Sequence, residues 1–268
     1  MTAVHILPDP RAVGERVARR IADRIDATAG DFYLGCPGGR SPVTTYAALA
    51  DEAKRRELDL ARVHIVMMDD YVMGGPGRWR RIPADRHNSC ERFAQREIRD
   101  VLNRGLMPSR QIPLEQVYLP DPGDPSAYDR LLESVGGIDF FILATGAGDG
   151  HVAFNPPGTD ADSRTAVVQL ARQTRIDNLA TFPDFAGLDE VPTHGVTVGV
   201  GTIASTSHEA ALVVHGLGKR EAYRRLTSVT GYDSQWPATV VHLVPGGAIY
   251  ADAAAAGGHA GQDATSED

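Results

Sequence analysis

Three short apolar runs in this chain break off abruptly into glycine or acid: residues 31–36, 63–68 and 138–144. Each is shorter than an ordinary helix and bounded by turn residues, so each reads as a buried strand. The stretches between them carry a different period. Val13, Val17, Ile21 and Ile25 recur on one face of residues 10–29, as an amphipathic helix requires. Further helices are expected over residues 43–56, 88–102, 128–135 and 219–227, and further strands over 197–200 and 210–215. Strand alternating with helix predicts an α/β fold: a single-domain, open, mostly parallel sheet with helices on both faces.

Composition narrows the function classes. At 268 residues the chain is long enough for one substantial core. The expected domain covers residues 1–252, and the alanine-, glycine- and acid-rich stretch 253–268 is expected to be a disordered tail. A net charge of −8 argues against a nucleic-acid partner. No apolar run of membrane-spanning length occurs, and no signal-peptide pattern opens the chain, so neither a membrane partner nor export is expected. Cys36 and Cys90 are too few for a disulfide framework and lack zinc-site spacing, which makes a reduced, cytoplasmic setting the default. Residues 74–83 are a basic insert rich in glycine and proline, expected to be an irregular flap.

The strand ends carry the chemistry. In a parallel sheet all carboxyl ends lie along one edge, where open α/β sheets bind ligands. After residues 138–144 come Gly146, Gly148 and Gly150, which allow positive φ and close backbone approach, with Asp149 and His151 between and after them. After residues 31–36 a glycine turn containing Gly38, Gly39, Arg40 and Ser41 opens a helix, with Thr44 in its first turn. Amides and hydroxyls at such a helix start suit an anion. No GxxxxGK[ST] or GxGxxG pattern is present. After residues 63–68 stand Asp69 and Asp70. Neighbours on a strand point to opposite faces, so one of the two is expected to face a ligand, where a raised pKa would make it a general base.

Together these segments resemble the glucosamine-6-phosphate deaminase/isomerase family and its relatives, the 6-phosphogluconolactonases. Residues 34–46 are similar to the family's phosphate loop. Met68, Asp69, Asp70 and Tyr71 are similar to its Met-Asp-Glu-Tyr segment, and residues 149–155 to its Asp-Gly-His-Ile-Ala-Phe-Asn segment. Residues 196–202 also match, and residues 216–219 resemble the site of a phosphate-binding lysine. The resemblance implies a Rossmann-like, sugar-phosphate isomerase type of fold and an amino-sugar 6-phosphate substrate. It implies Asp69 as the base moving a proton between C1 and C2, His151 as the acid that opens the ring, and Asp149 in support. Gly38, Gly39, Arg40, Ser41, Thr44, Gly148 and Lys219 would hold the substrate and its phosphate. No metal or organic cofactor is implied, and the partner is a small sugar phosphate, with homo-oligomerisation left open.

The sequence departs from the deaminase pattern in places. Pro156 stands where the deaminases carry a glutamate that tunes the histidine, so an acid–histidine pairing is expected to be lost unless Asp160 or Asp162 reaches back. Arg40 replaces a glycine, Gly38 a threonine, and the family's phosphate-binding lid arginine aligns near Ala180. Arg40 is a candidate replacement, because a guanidinium binds phosphate bidentately. Arg175 is expected to be structural, and His87 is left outside the catalytic set. These departures keep two alternatives beside the isomerase/deaminase reading. One is a 6-phosphogluconolactonase-like hydrolase using His151 on water; the other is a non-catalytic sugar-phosphate sensor.

Overall fold

The strands in chain order explain why the motifs meet. In the computed structural model, which describes residues 2–258, eleven strands occur among the described residues. They are β1 (Ala3–Leu7), β2 (Phe32–Cys36), β3 (Val63–Met67), β4 (Asp69–Met73), β5 (Arg80–Arg81), β6 (Val117–Tyr118), β7 (Ile138–Ala144), β8 (Ala166–Gln169), β9 (His194–Thr197), β10 (Ser207–Val214) and β11 (Gly246–Asp252). Seven form one sheet in the order β1-β11-β10-β7-β2-β3-β6, with every pairing parallel. From β2 the chain proceeds outward through β3 to β6. It then returns to the other side of β2 with β7 and proceeds outward through β10 to β11. The direction of winding therefore reverses between β2 and β7, and a crevice opens at such a switch point beyond the carboxyl ends.

The helices are α1 (Pro10–Ala27), α2 (Val43–Arg56), α3 (Cys90–Phe93), α4 (Asp100–Leu102), α5 (Pro125–Ser134), α6 (Arg172–Thr181), α7 (Val200–Thr206) and α8 (Arg220–Thr227). Asp9 caps α1 by accepting from Ala12 N–H at 2.8 Å, and Pro10 fits its first turn. Val13, Val17, Ile21 and Ile25 are fully or almost fully buried, each contributing roughly 1.5–3 kcal/mol. They pack with Phe140 and Ile142 of β7 in one cluster, while Phe141 and Leu143 join Tyr128, Ile203 and Leu226 in a second. Alternate residues of one strand thus serve opposite faces, and helices cover both, which is why the strand reads as a continuous apolar run.

Several local expectations are corrected. The helix expected over 88–102 starts at Cys90, because Ser89 caps it by accepting from Arg92 N–H at 3.2 Å; a π-helical stretch, Ala94–Arg99, joins α3 to α4. Residues 197–200 are not a strand of the main sheet. β9 ends at Thr197, and α7 starts at Val200, whose N–H bonds Ser163 Oγ at 2.9 Å. β9 instead belongs to a four-stranded antiparallel sheet, β5-β4-β9-β8, that the alternation did not predict. The insert 74–83 is less irregular than expected. A turn bonding Arg78 N–H to Gly75 O at 2.8 Å folds it back, so that β5 pairs with β4.

The tail is corrected in its first part. Residues 253–258 form turns in which Ala253 N–H bonds Leu7 O at 2.8 Å and Ala255 is buried, so they extend the domain past residue 252. Residues 259–268 lie outside the described residues. Among the described residues no helix is long and apolar enough to cross a membrane.

Candidate active site

A cavity of about 470 Å³ opens at the switch point. Its walls come from the segments after β2 (Gly38, Gly39, Arg40, Ser41), after β3 (Asp69), after β7 (Gly146, His151) and after β10 (His215, Lys219), roofed by α6. Four neighbouring parallel strands therefore deliver their carboxyl ends to one space.

Asp69 and Asp70 divide as strand geometry requires. Asp69 lines the cavity at 6 % exposure, whereas Asp70 is fully buried and accepts from Tyr71 N–H at 2.8 Å and Cys90 N–H at 3.0 Å. Asp69 opens β4 opposite Thr197, so the small sheet fixes where it stands. Burial pushes its carboxyl up to about 7, helped by the Asp70 charge and opposed by a hydrogen bond from Cys90. Burial likewise pushes Asp70 up to about 6, against the Cys90 and Tyr71 amides and the nearby Arg81.

The loop after β7 holds an acid–imidazole pair. Asp149 Oδ1 lies 2.7 Å from His151 Nδ1 and accepts from His151 N–H at 3.3 Å; Thr174 Oγ1 of α6 lies 3.3 Å from the same ring nitrogen. A carboxylate can only accept, so the pair places the proton on Nδ1 and leaves Nε2 unprotonated in the neutral ring. Burial pushes Asp149 up, but the His151 contact outweighs it and holds the carboxyl below its usual range. This corrects the expectation that losing the glutamate at position 156 leaves the histidine without an acid. The partner is the residue two positions before it, not Asp160 or Asp162.

Two glycines make the pair feasible. A Cβ on Gly146 would lie 2.2 Å from Asp149 Oδ1 and 2.3 Å from His151 Nδ1. Gly150 adopts φ 65° against the Trp236 ring, where a Cβ would approach within 2.2 Å. Gly148, by contrast, neither has positive φ nor lines the cavity. Expected among the substrate-binding residues, it lies outside the cavity lining. Ala153 lines the cavity at φ 50°, a left-handed conformation unusual for a residue with a Cβ and characteristic of binding sites.

The same cavity holds the anion-binding candidates. Gly38, Gly39, Arg40 and Ser41 line the cavity, and His215 Nε2 lies 2.9 Å from Ser41 O, bracing the loop from β10. Ser41 and Arg40 bring a hydroxyl and a guanidinium to this lining. Lys219 donates to Thr145 O. Burial depresses its pKa, as does Arg40, against the opposing effect of Asp177 and Asp149. Thr44 is a correction: α2 starts at Val43, and Thr44 lies against α1, where a Cβ on Gly14 would meet it at 2.6 Å. It is not part of the lining.

Sequence reasoning missed His215, Cys90 and the inward face of α6, where Thr174, Asp177, Asn178 and Thr181 meet the cavity. Their spacing is helical, but the mean polarity of α6 hides which side is inward. His215 was visible only as the residue closing an expected strand. Arg175 is structural, donating to Leu188 O at 2.5 Å and Val191 O at 2.9 Å. His87 lies outside this cavity, edge-on to Phe182 and Phe185.

Comparison with known proteins identifies the family. Residues 8–249 match the family model described as glucosamine-6-phosphate isomerases/6-phosphogluconolactonase. The glucosamine-6-phosphate deaminase of Bifidobacterium longum (strain NCC 2705) is 35% identical, covering 96% of this chain and 92% of the relative. That of Mycolicibacterium smegmatis is 34% identical, covering 94% and 91%. Among solved structures, a monomeric glucosamine-6-phosphate deaminase superposes with TM-score 0.79 at 28% identity, covering 96% of this chain and all of the other. A 6-phosphogluconolactonase from Leishmania guyanensis shares the fold, with TM-score 0.69 at 16% identity, covering 97% of this chain and all of the other. On the strength of the family model and these relatives, the chain belongs to the glucosamine-6-phosphate isomerase/6-phosphogluconolactonase family.

Proposed function

We propose that this enzyme converts an amino-sugar 6-phosphate of the glucosamine 6-phosphate type into a ketose phosphate and ammonia. The observation that carries the reading is the buried Asp69 carboxyl, pushed up to about 7, facing the same cavity as the Asp149–His151 pair. Lactone hydrolysis needs water activation and no carbon base. A shift of a proton between adjacent carbons needs a carboxylate near C1 and C2.

His151, held by Asp149 through Nδ1, takes the O1–H proton of the hemiacetal on Nε2 and delivers it to the ring oxygen, which opens the pyranose to the aldehyde. Ionised Asp69 removes the C2 proton of the open aldehyde, the C1 carbonyl becomes an enol, and the proton returns to C1. The C2–nitrogen bond is then an iminium, which water attacks, and ammonia leaves to give the C2 ketone. Arg40, Ser41, the amides at Gly38 and Gly39, and Lys219 hold the phosphate and so fix C1 and C2 against Asp69. Arg40 takes the place of the lid cation, because α6 offers Ala180 on its exposed side and Asp177 on its inner side.

The test is incubation of purified protein with glucosamine 6-phosphate and 6-phosphogluconolactone, following ammonia release and lactone opening side by side. Ammonia from the amino sugar, with kcat/KM rising with pH through about 7 as Asp69 ionises, is the expected result. Lactone opening without ammonia would replace the reading by the hydrolase. Binding without turnover of either would replace it by the sensor.

A further inference from the structure

Cys90 joins the two acids. It is the first residue of α3, is buried, and lines the cavity. Its backbone N–H donates to Asp70 Oδ1 at 3.0 Å, while its Sγ donates to Asp69 Oδ1 at 3.5 Å. Among the described residues this thiol is the one side-chain donor bonded to Asp69.

Two hydroxyls near Asp69 are committed elsewhere. The Tyr46 hydroxyl, from α2, donates to Pro37 O at 2.8 Å, and the Tyr128 hydroxyl, from α5, donates to Met67 O at 2.8 Å. Tyr71, on Asp69's own strand, is a buried phenol whose pKa burial raises well above its usual value. Asp70 is the adjacent like charge; its Oδ2 is buried with no hydrogen-bond partner among the described residues, and both the Cys90 thiol and Arg81 of β5 lower its carboxyl against the effect of burial. His151 faces Asp69's cavity from the β7 side. Of these groups only Cys90 gives Asp69 a proton to bond. Burial, with Asp70 and Asp69 close by, pushes the thiol well above its usual range, so it stays S–H and remains a donor.

We infer that Cys90 is a positioning residue for the base: its thiol aims the Asp69 carboxylate into the cavity and favours its ionised form. This rests on the reading of Asp69 as the base. It predicts a role for a sulfur that takes no covalent part in the reaction. A donor to the charged form lowers a carboxyl pKa, so removing it moves Asp69 upward and costs activity on the acid side alone.

The experiment compares Cys90→Val, which has nearly the same volume and no donor, with Cys90→Ser, which keeps one. Cys90→Ala is a second donor-free variant, so that agreement of the two separates loss of the donor from a change in packing. Two quantities are read: the pH profile of kcat/KM for the amino-sugar phosphate, and the carbon-13 titration of the Asp69 carboxyl in substrate-free protein. Both donor-free variants are expected to shift upward in both readouts by about half to one pH unit. That amounts to an about threefold to tenfold loss below the acid limb and little above it, carried in kcat with KM steady. Cys90→Ser should restore the wild-type curve. An Asp69 titration unchanged in Cys90→Val, or an equal loss at every pH in all three variants, would overturn the inference. Absence of turnover in the wild-type protein would instead sink the functional reading, leaving the carboxyl titration to decide the role of Cys90.

Discussion

Asp69 is a residue whose usefulness and cost have one origin. Burial that brings its carboxyl near neutrality also makes ionising it unfavourable in the folded chain. The folded value of about 7 lies above the ordinary 3.8, so the native state holds the proton where the unfolded chain has released it. Stability from this group is therefore fully present below about pH 4 and is lost as pH rises through about 7. Asp69→Asn is expected to raise Tm by about 5 °C or more at pH 8 and by clearly less at pH 5, where only the first part of the loss has accumulated, as thermal unfolding at the two values would reveal. An equal effect at both would mean that Asp69 is ionised in the native state at pH 5. The choice of Asp69 over its neighbour was legible from strand alternation, but its pKa was not. That depends on Cys90, twenty-one positions away, and on aromatic rings from α2, β4 and α5 that only the folded chain brings near.

Among the elements, α6 lines the cavity along a whole face and is the least legible. Its inward face carries Thr174, Asp177, Asn178 and Thr181, and Asn178 Nδ2 is buried with no hydrogen-bond partner among the described residues. Arg175 ties the helix to the 188–191 segment through the carbonyls of Leu188 and Val191. Arg175→Ala is expected to raise KM about fivefold to fiftyfold with kcat changing less, since loosening a positioning element weakens ground- and transition-state binding together. Global Tm should fall by only a few degrees; limited proteolysis within residues 172–191, faster than wild type and slowed by substrate, would locate the effect. Unchanged KM would assign Arg175 to stability alone. The sequence allowed Arg175 to be read as structural, because the family resemblance placed it in a lid. It could not show the small antiparallel sheet, because β4 follows β3 after a single residue and the two read as one strand end.

Across the whole molecule, the site is a consequence of winding order. The loops after β2 and β7 meet because the chain reverses direction between those strands; the strand order and β1, β6 and β11 were not foreseen, but from alternating apolar runs and helical spacing a mostly parallel sheet was legible in advance. So were the glycine turn, the acid pair and the Asp149–His151 loop, since each sits within a few residues of its strand. What stayed hidden was contact between distant segments: His215 under Ser41, Cys90 on both acids, and Thr44 turned toward α1 instead of the cavity. The insert also gained meaning only in the fold, with Trp79 packed on the His194 ring at 4.8 Å and Arg81 3.6 Å from Glu91.

The central claim is that Asp69 carries a proton between adjacent carbons of an amino-sugar phosphate. Exchange of the C2 hydrogen of glucosamine 6-phosphate with deuterated solvent, followed by proton NMR for wild type and Asp69→Asn, tests it most directly. Wild type should exchange or transfer that hydrogen during turnover, and Asp69→Asn should do so about 10²–10⁴-fold more slowly while still binding the sugar phosphate. Handling of the C2 hydrogen at the wild-type rate by Asp69→Asn would contradict the claim and place the base elsewhere.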